Sequence, residues 1–323
     1  MAQAWIRQLE VIMTSQIKKD GKQSQLVFGR EHTIGKDDLN IHVTGTKYLS
    51  LLQDAFTVEI TNLTYREILL MINRQYYDIE IRAGYRNSGL HTIFKGQVLY
   101  ISRKLNSDRS TTAIILCASK LVAAFGQSRM NLSLKSGINM YAALKYICNL
   151  AGVRNSFISE EFKNKIISDA IADNENVGSF INGFINKNGF VANADNSLNN
   201  VISVWDPYRY DTRQIVLNSK SITLTGGYPR LTSDGLSLTV LPTFNFMPGD
   251  TLLIDNSIIN IPVESKNEVY KNYGYYLDTD TDQQGRGKYM IYTLTYNLQN
   301  RGEDFSIEIL CKSRKLISNI TGK

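Results

Sequence analysis

Two hydrophobic periods alternate along this 323-residue chain, and their order divides it into three parts. Up to about residue 118 the period is two. Trp5 to Met13 alternates as a strand, and Lys18 to Lys22 (KKDGK) carries an Asp-Gly pair, the commonest two-residue hairpin turn. Gln25 to Phe28 and His32 to Ile34 can return as strands, and Phe56 to Ile60 and Asp78 to Ala83 follow. One helical pattern interrupts them. Thr64 to Asn73 puts Tyr65, Ile68, Leu69 and Ile72 on one stripe, with Thr64 as N-cap and Glu67 three residues on to complete a capping box.

From about 119 to 206 the period lengthens. Ser136 to Leu150 sets Ile138, Tyr141, Leu144, Ile147 and Cys148 at helical spacing, capped by Ser136 and closed by Gly152. Glu175 to Asn188 repeats the design with Val177, Phe180, Ile181, Phe184 and Ile185, closed by Gly189. Short apolar runs follow each helix (Val153 to Ile158, Phe190 to Ala192), and Val201 to Trp205 returns as a strand after an Asp195-Asn196 turn. From 207 onward the period is two again. Strands fall on Ile222 to Leu224, Leu236 to Leu241, Thr251 to Ile254 and Ile258 to Val263, with Gly226 to Pro229 as a break and Pro248-Gly249 as a turn. Glu264 to Arg286 is long and polar, which predicts an exposed loop, and a hairpin over Tyr289 to Lys312 ends the pattern.

The first and last parts resemble each other. Val98 to Lys120 and Tyr292 to Arg314 each read as strand, polar turn and strand ending in Leu-Cys. Set 194 residues apart, Asn106 meets Asn300, Leu116 meets Leu310, Cys117 meets Cys311 and Ser119 meets Ser313. The phase also matches: Ala113, Ile115 and Cys117 share a face, as do Ile307, Ile309 and Cys311. A slip of one residue would turn that face to water, so shared phase is stronger than shared letters. Upstream, Phe56 to Ile60 and Asp78 to Ile81 in the first part correspond to Leu236 to Val240 and Asp250 to Ile254 in the last. The order of elements is the same, with the Thr64 to Asn73 helix inserted only in the first. One chain thus carries two β units of one kind, and three such chains in a ring would look nearly six-fold.

Composition changes this picture little. The apolar share of 43% and charged share of 20% are ordinary for globular chains. No run approaches the roughly 18 apolar residues of a membrane span. Arg7 and Glu10 interrupt the N-terminal segment where a signal peptide needs an apolar run, so residence in the cytoplasm of synthesis is expected. The net charge of +6 is spread along strands and turns without a basic run or an aromatic-basic motif, which argues against sequence-specific nucleic-acid binding. Cys117, Cys148 and Cys311 lack CxxC spacing and read as buried reduced thiols.

Chemistry is sparse. His32, His42 and His91 have no helical partner carboxylate or Cys. Gly126 to Met130 resembles a nucleophile elbow, but Met130 replaces its second glycine. Thr44 to Lys47 and Gly285 to Lys288 lack phosphate-loop spacing. Asp278, Asp280 and Asp282 alternate as in a calcium loop, but Gln283 and Tyr289 stand where its glycine and closing Glu belong. No catalytic, cofactor or metal residue is assigned, and no enzyme is expected.

With these residues laid out, the chain resembles the phage tail baseplate hub family, which includes the late control protein D type of contractile tails. The resemblance is carried by Ile81-Arg82-Ala83-Gly84-Tyr85 and Ile93-Phe94-Lys95-Gly96-Gln97-Val98 in the first part. It continues in Thr225-Gly226-Gly227-Tyr228-Pro229, Thr232-Ser233-Asp234-Gly235-Leu236 and Met247-Pro248-Gly249-Asp250 in the last. It implies an α+β, mainly β fold: two related tube-like β-barrel domains, 1–118 and 207–323, flanking a small helix-containing α+β middle region, 119–206. It further implies a structural virion protein of the tail baseplate, assembled in the host cytoplasm, with no enzymatic activity and no cofactor. The implied state is a homotrimer that joins a six-fold tail tube to a three-fold spike and lines the DNA passage. The implied partners are the tail tube protein, the central spike protein and other baseplate proteins, with the tape measure protein as a further candidate. The alternative reading is a carbohydrate- or receptor-binding β protein of the tail tip.

Overall fold

The computed structural model describes residues 6–19, 22–29, 39–50, 54–73, 76–86, 88–119, 129–150, 153, 155–168, 171–195, 201–206, 213–217, 224–232, 235–255, 259 and 286–313. Eighteen strands and three helices order the described chain, and the class is α+β, mainly β. In the first part the strands are β1 (Arg7–Lys19), β2 (Lys22–Phe28), β3 (Asn40–Tyr48), β4 (Ala55–Thr61), β5 (Tyr76–Tyr85), β6 (Gly89–Leu105) and β7 (Thr111–Ala118), with α1 (Tyr65–Asn73) between β4 and β5. In the last part they are β13 (Gln214–Leu217), β14 (Leu224–Thr232), β15 (Gly235–Val240), β16 (Thr251–Asp255), β17 (Arg286–Gln299) and β18 (Phe305–Ser313).

These two sets form one thirteen-stranded sheet, in the order β14-β15-β18-β17-β3-β4-β7-β6-β5-β1-β2, with β16 beside β17 and β13 beside β16. Strict alternation produces it. On β4, Phe56, Val58 and Ile60 are buried while Ala55, Thr57, Glu59 and Thr61 face the other way. Ile307, Ile309 and Cys311 do the same on β18. A single hydrophobic core therefore runs under both halves, from Leu9 and Val11 through Phe56, Phe94 and Ile115 to Leu294, Tyr296 and Ile309.

The duplication survives at the level of register. In the first half Phe56, Val58 and Ile60 on β4 pair with Cys117, Ile115 and Ala113 on β7. In the second, Leu236, Leu238 and Val240 on β15 pair with Cys311, Ile309 and Ile307 on β18. The next ladder matches as well. Ile101 opposes Ile115 where Leu294 opposes Ile309, and a bulge falls at Leu99 in one copy and Tyr292 in the other. The strand beyond follows suit, with Ile79 on Gly96 and Ile81 on Phe94 repeated as Leu252 on Tyr289 and Ile254 on Gly287. On the far side Ile41 meets Ile60 as Leu224 meets Val240, and Thr46 meets Ala55 as Thr232 meets Gly235. Five strands, β3 to β7, are thus repeated as β14 to β18. The repetition stops at the flank, where β1 runs antiparallel to β5 but β13 runs parallel to β16.

Register also corrects the spacing. Ile101 to Leu294 is a step of 193 and Ile115 to Ile309 a step of 194, because the second turn holds one extra residue. Asn106 therefore corresponds to Gln299, not to Asn300: the Asn106 N–H donates to Ser110 O at 2.9 Å, and the Gln299 N–H to Asp304 O at 2.8 Å. Residues 226–229 form no break in β14. They bulge out of it between Thr225 and Arg230.

α1 is closed by its capping box. Thr64 N donates to Glu67 Oε2 at 2.9 Å and Glu67 N to Thr64 Oγ1 at 3.3 Å. Its buried face differs from the expected stripe: Ile68 and Met71 are buried, whereas Tyr65 and Ile72 are exposed. Leu63, just before the cap, is buried with Ile68 as a hydrophobic staple, which rolls the helix toward Ile68 and Met71.

The middle region builds a second core. Here β8 (Arg129–Leu134), α2 (Met140–Leu150) and β9 (Asn155–Ile158) are followed by β10 (Ile171–Asn176), α3 (Val177–Lys187), β11 (Val191–Asp195) and β12 (Val201–Trp205). β8 pairs with β10, and β11, β12 and β9 form a three-stranded sheet. α2 starts at Met140 rather than near Ser136, because Asn139 is the residue whose side chain accepts a helical N–H, that of Ala142. α3 starts at Val177, since 171–176 are held as a strand by β8. The region docks on the sheet where Trp205 packs with Leu49 and Met290. Gly249 lies under that indole, at φ +92°, where a Cβ would come within 2.7 Å of the ring.

Candidate functional site

The site is a seam. β17 of the second half pairs with β3 of the first over seven rungs, from Thr293 on Tyr48 to Gln299 on His42. The extra residue of the second turn lengthens that ladder. Asn300 accepts from Ile41 N at 2.8 Å through its side-chain oxygen and donates to Leu39 O at 3.1 Å through its amide nitrogen.

The core side of the seam is locked by two aromatic rings over a glycine. Gly45 pairs with Tyr296 on one side and Phe56 on the other. The rings of Phe56 and Tyr296 meet at 5.3 Å, and Phe94 stands 4.4 Å from Phe56. A Cβ on Gly45 would fall 2.3 Å from Phe56 Cδ1, so the ring occupies the space a side chain would need. Tyr296 is fully enclosed, and burial, seconded by the Asp54 and Asp250 charges, drives its phenol well above its ordinary value. A second clasp ties the chain's start to the second turn. Arg7 donates to the carbonyls of Gly302 at 2.5 Å and Glu303 at 2.9 Å, and its guanidinium lies 5.5 Å from the Phe305 ring, which meets Tyr85 edge-on at 5.4 Å.

The other face of the sheet is polar and nearly neutral. Rows of opposed residues cross the seam: Ser306, Asn297, Thr44, Thr57 and Leu116 in one, Glu308, Thr295, Thr46 and Ala55 in another. Among the described residues of β3, β4, β7, β17, β18 and the C-terminal half of β6, this face carries Glu59 and Glu308 against Lys104, Lys288 and Lys312. A chain of polar side chains also spans the seam on this side. Asp304 Oδ2 accepts from Asn297 Nδ2 at 2.9 Å, the Asn297 side-chain oxygen lies 2.9 Å from His42 Nε2, and His42 Nδ1 lies 4.0 Å from Glu59.

The residues singled out for chemistry are not gathered. His42 is in the seam, His91 lies on β6, and His32 lies outside the described residues. Thr44 to Lys47 is a stretch of β3 rather than a phosphate loop. Arg129 and Met130 open β8, and 126–128 lie outside the described residues, as do Asp278 to Asp282 and the rest of 264–285. The three thiols are free and buried. Burial pushes Cys117 up to about 12 and Cys148 to about 11, and pushes Cys311 upward as well. Among the described residues, no three His, Cys, Asp or Glu stand close enough to hold a metal, and no helix is long and apolar enough to cross a membrane. The functional residues that sequence reasoning missed are those of β3, above all Gly45. The signal available was the pair of aromatics, Phe56 and Tyr296, at core positions of strands that flank it.

No family model matches the chain, and no curated protein matches it. Solved structures do. A 43 kDa tail protein of prophage MuSo2 from Shewanella oneidensis is similar with a TM-score of 0.55 at 8% identity, over 96% of this chain and 98% of its own. A tail protein from Neisseria meningitidis MC58 gives 0.55 at 10% identity, over 96% and 97%. The Escherichia coli c3393 protein, a component of the type VI secretion system with structural similarity to T4 bacteriophage tail proteins gp27 and gp5, gives 0.54 at 11%, over 85% and 73%. The chain has the fold of these proteins.

Proposed function

We propose that the chain is a structural component of a contractile tail or tail-like machine, a baseplate hub that works as a homotrimer between a six-fold tube and a three-fold spike. The observation that carries this reading is the duplicated five-strand ladder, joined within one chain by β17 on β3. A subunit made of two like units converts three-fold symmetry into near six-fold symmetry, because each chain supplies two similar surfaces to a hexagonal partner. The parts 1–118, 119–206 and 207–323 then serve as first tube-like domain, middle domain and second tube-like domain. The proposed partners are a tail tube protein, a central spike protein and other baseplate proteins, and the proposed place is the virion tail baseplate.

The polar sheet face suits the wall of a DNA passage. Phosphate contacts from Lys and Arg dominate affinity for nucleic acid, and a threonine-rich wall with few charges supplies few of them. A duplex can then slide without being held. In this role the protein turns nothing over. The test is the mass of the native protein, alone and mixed with the spike protein. A trimer that captures one spike trimer supports the proposal, and a monomer indifferent to the spike overturns it.

A further inference from the structure

The seam predicts the contact between subunits. We infer that the outer edge of β6 from Tyr100 to Leu105 pairs, antiparallel, with β14 of a second copy of this chain, reproducing between molecules the ladder that β17 and β3 make within one. The inference rests on the ring proposed above and adds to it the strands and their register.

Three observations carry it. First, the edges are open among the described residues. β6 pairs with β7 along its C-terminal half, but β5 covers its other side only as far as Gln97. Among the described strands β14 ends the sheet and pairs with β15 alone. Unpaired strand edges are templates for another strand. Second, these two edges are the repeats of the two strands that already pair. β6 corresponds to β17 and β14 to β3, so the joined partners sit at one place in the fold and the unjoined partners at the other. A contact between unlike surfaces propagates head to tail, and it closes a ring of three when each copy is turned by one third of a revolution. Third, the apolar side chains are already present. Leu298 is fully buried in the seam, and its counterpart Leu105 is 63% exposed, while Tyr100 and Leu99, at the other end of the same edge, are 63% and 54% exposed. Exposed leucines set along an unpaired edge mark a surface that another copy covers.

The seam supplies the register. Thr295 on Thr46 becomes Ser102 on Thr232, Tyr296 on Gly45 becomes Arg103 on Leu231, and Asn297 on Thr44 becomes Lys104 on Arg230. Leu105 then faces the bulge at 226–229. This register sets Lys104, an exposed cation, opposite Arg230, also exposed. Like charges directly opposite weaken a ladder, and salt screens them. The contact therefore tightens with ionic strength.

Two singly substituted chains, Ser102→Cys and Thr232→Cys, are mixed and oxidised, so that any new disulfide is between molecules. Directly opposed strand positions fall within the Cα separation of roughly 4.4–6.8 Å that a disulfide needs. The expected result is a covalent dimer from this pair and none from Ser102→Cys mixed with Thr225→Cys, four rungs away. Leu105→Asp raises the dissociation constant of self-association about tenfold or more, the loss of one buried leucine. Lys104→Glu, placed against Arg230, lowers it. A trimer that forms without the in-register disulfide and is indifferent to both surface substitutions overturns this pairing and leaves the hub reading standing. A chain that stays monomeric with no disulfide overturns both.

Discussion

Replacing Gly45 with alanine tests the seam from inside the core. The new Cβ would sit 2.3 Å from Phe56 Cδ1, 2.4 Å from Cγ and 2.7 Å from Cε1, against an ordinary contact of 3.4–4 Å. The ring must retreat by about an ångström, and it cannot do so freely, because Phe94 is 4.4 Å away on one side and Tyr296 5.3 Å away on the other. Overpacking of this kind costs roughly 1–3 kcal/mol. Gly45 is not in the left-handed region, so alanine also recovers roughly 0.4–1 kcal/mol by restricting the unfolded chain. The net expectation is a loss of about 1–2 kcal/mol, read as a fall of about 2–4 °C in melting temperature for each kcal/mol. A second substitution makes the test specific. By register the second half pairs Leu231 with Leu236 where the first pairs Gly45 with Phe56, so the chain itself uses leucine at the ring position where the residue opposite is not glycine. Gly45→Ala combined with Phe56→Leu is therefore less destabilised than the sum of the single changes by about 1 kcal/mol, in the range of coupling between touching residues. A Gly45→Ala protein as stable as the parent, or strict additivity in the double variant, would refute the aromatic lock.

Other outcomes follow from single features. Gly183 is exposed in the middle of α3 with nothing within 4 Å of its Cβ position, so Gly183→Ala raises stability by about 0.5–1 kcal/mol in a thermal melt. Arg7→Ala frees two turn carbonyls and a ring face and lowers stability by about 1–2 kcal/mol, and Arg7→Lys does not restore it because lysine lacks the two-pronged donor. A thiol reagent at neutral pH leaves the folded protein unmodified, since Cys117, Cys148 and Cys311 are buried with raised thiol values, and modifies all three once it unfolds; fast labelling of the folded form would contradict the core assignment. Burial raises the Glu80 carboxyl, but hydrogen bonds from Arg82 and Thr92 and the charges of Arg82 and Lys95 outweigh it and lower it below 4.5. Its contribution is therefore present above that pH and lost as pH falls through the lowered value, so Glu80→Gln flattens the acid limb of a stability profile below about pH 4.5.

The class and the repeat were legible because alternation on β4, β7, β15 and β18 is strict, and the phase shared by Ala113–Cys117 and Ile307–Cys311 is what the ladders reproduce. The seam strand was not legible. Ile41 and Val43 alternate, but Gly45 stands where the third apolar side chain belongs, and the rings that fill its place come from two other strands. A period-two reading of one segment cannot see a core position filled from its neighbours. The extra residue at Asn300 was hidden for a related reason: the identity of two asparagines outweighed a register fixed by backbone pairing. The same holds for 226–229, where Gly-Gly and Pro announce a break and an edge strand absorbs them as a bulge. Of the candidate site, the two surfaces were visible as a duplication, but their joining was not, because no local pattern records which edge meets which.

Electron-microscopic averaging of the purified assembly, with the subunit count fixed by its native mass, bears most directly on the claim that two like halves per chain build one ring. The account predicts three chains and an inner wall of six near-equal segments that superpose after rotation by one sixth of a turn. A two-fold dimer, a ring of six chains, or a wall with only three-fold likeness would contradict it.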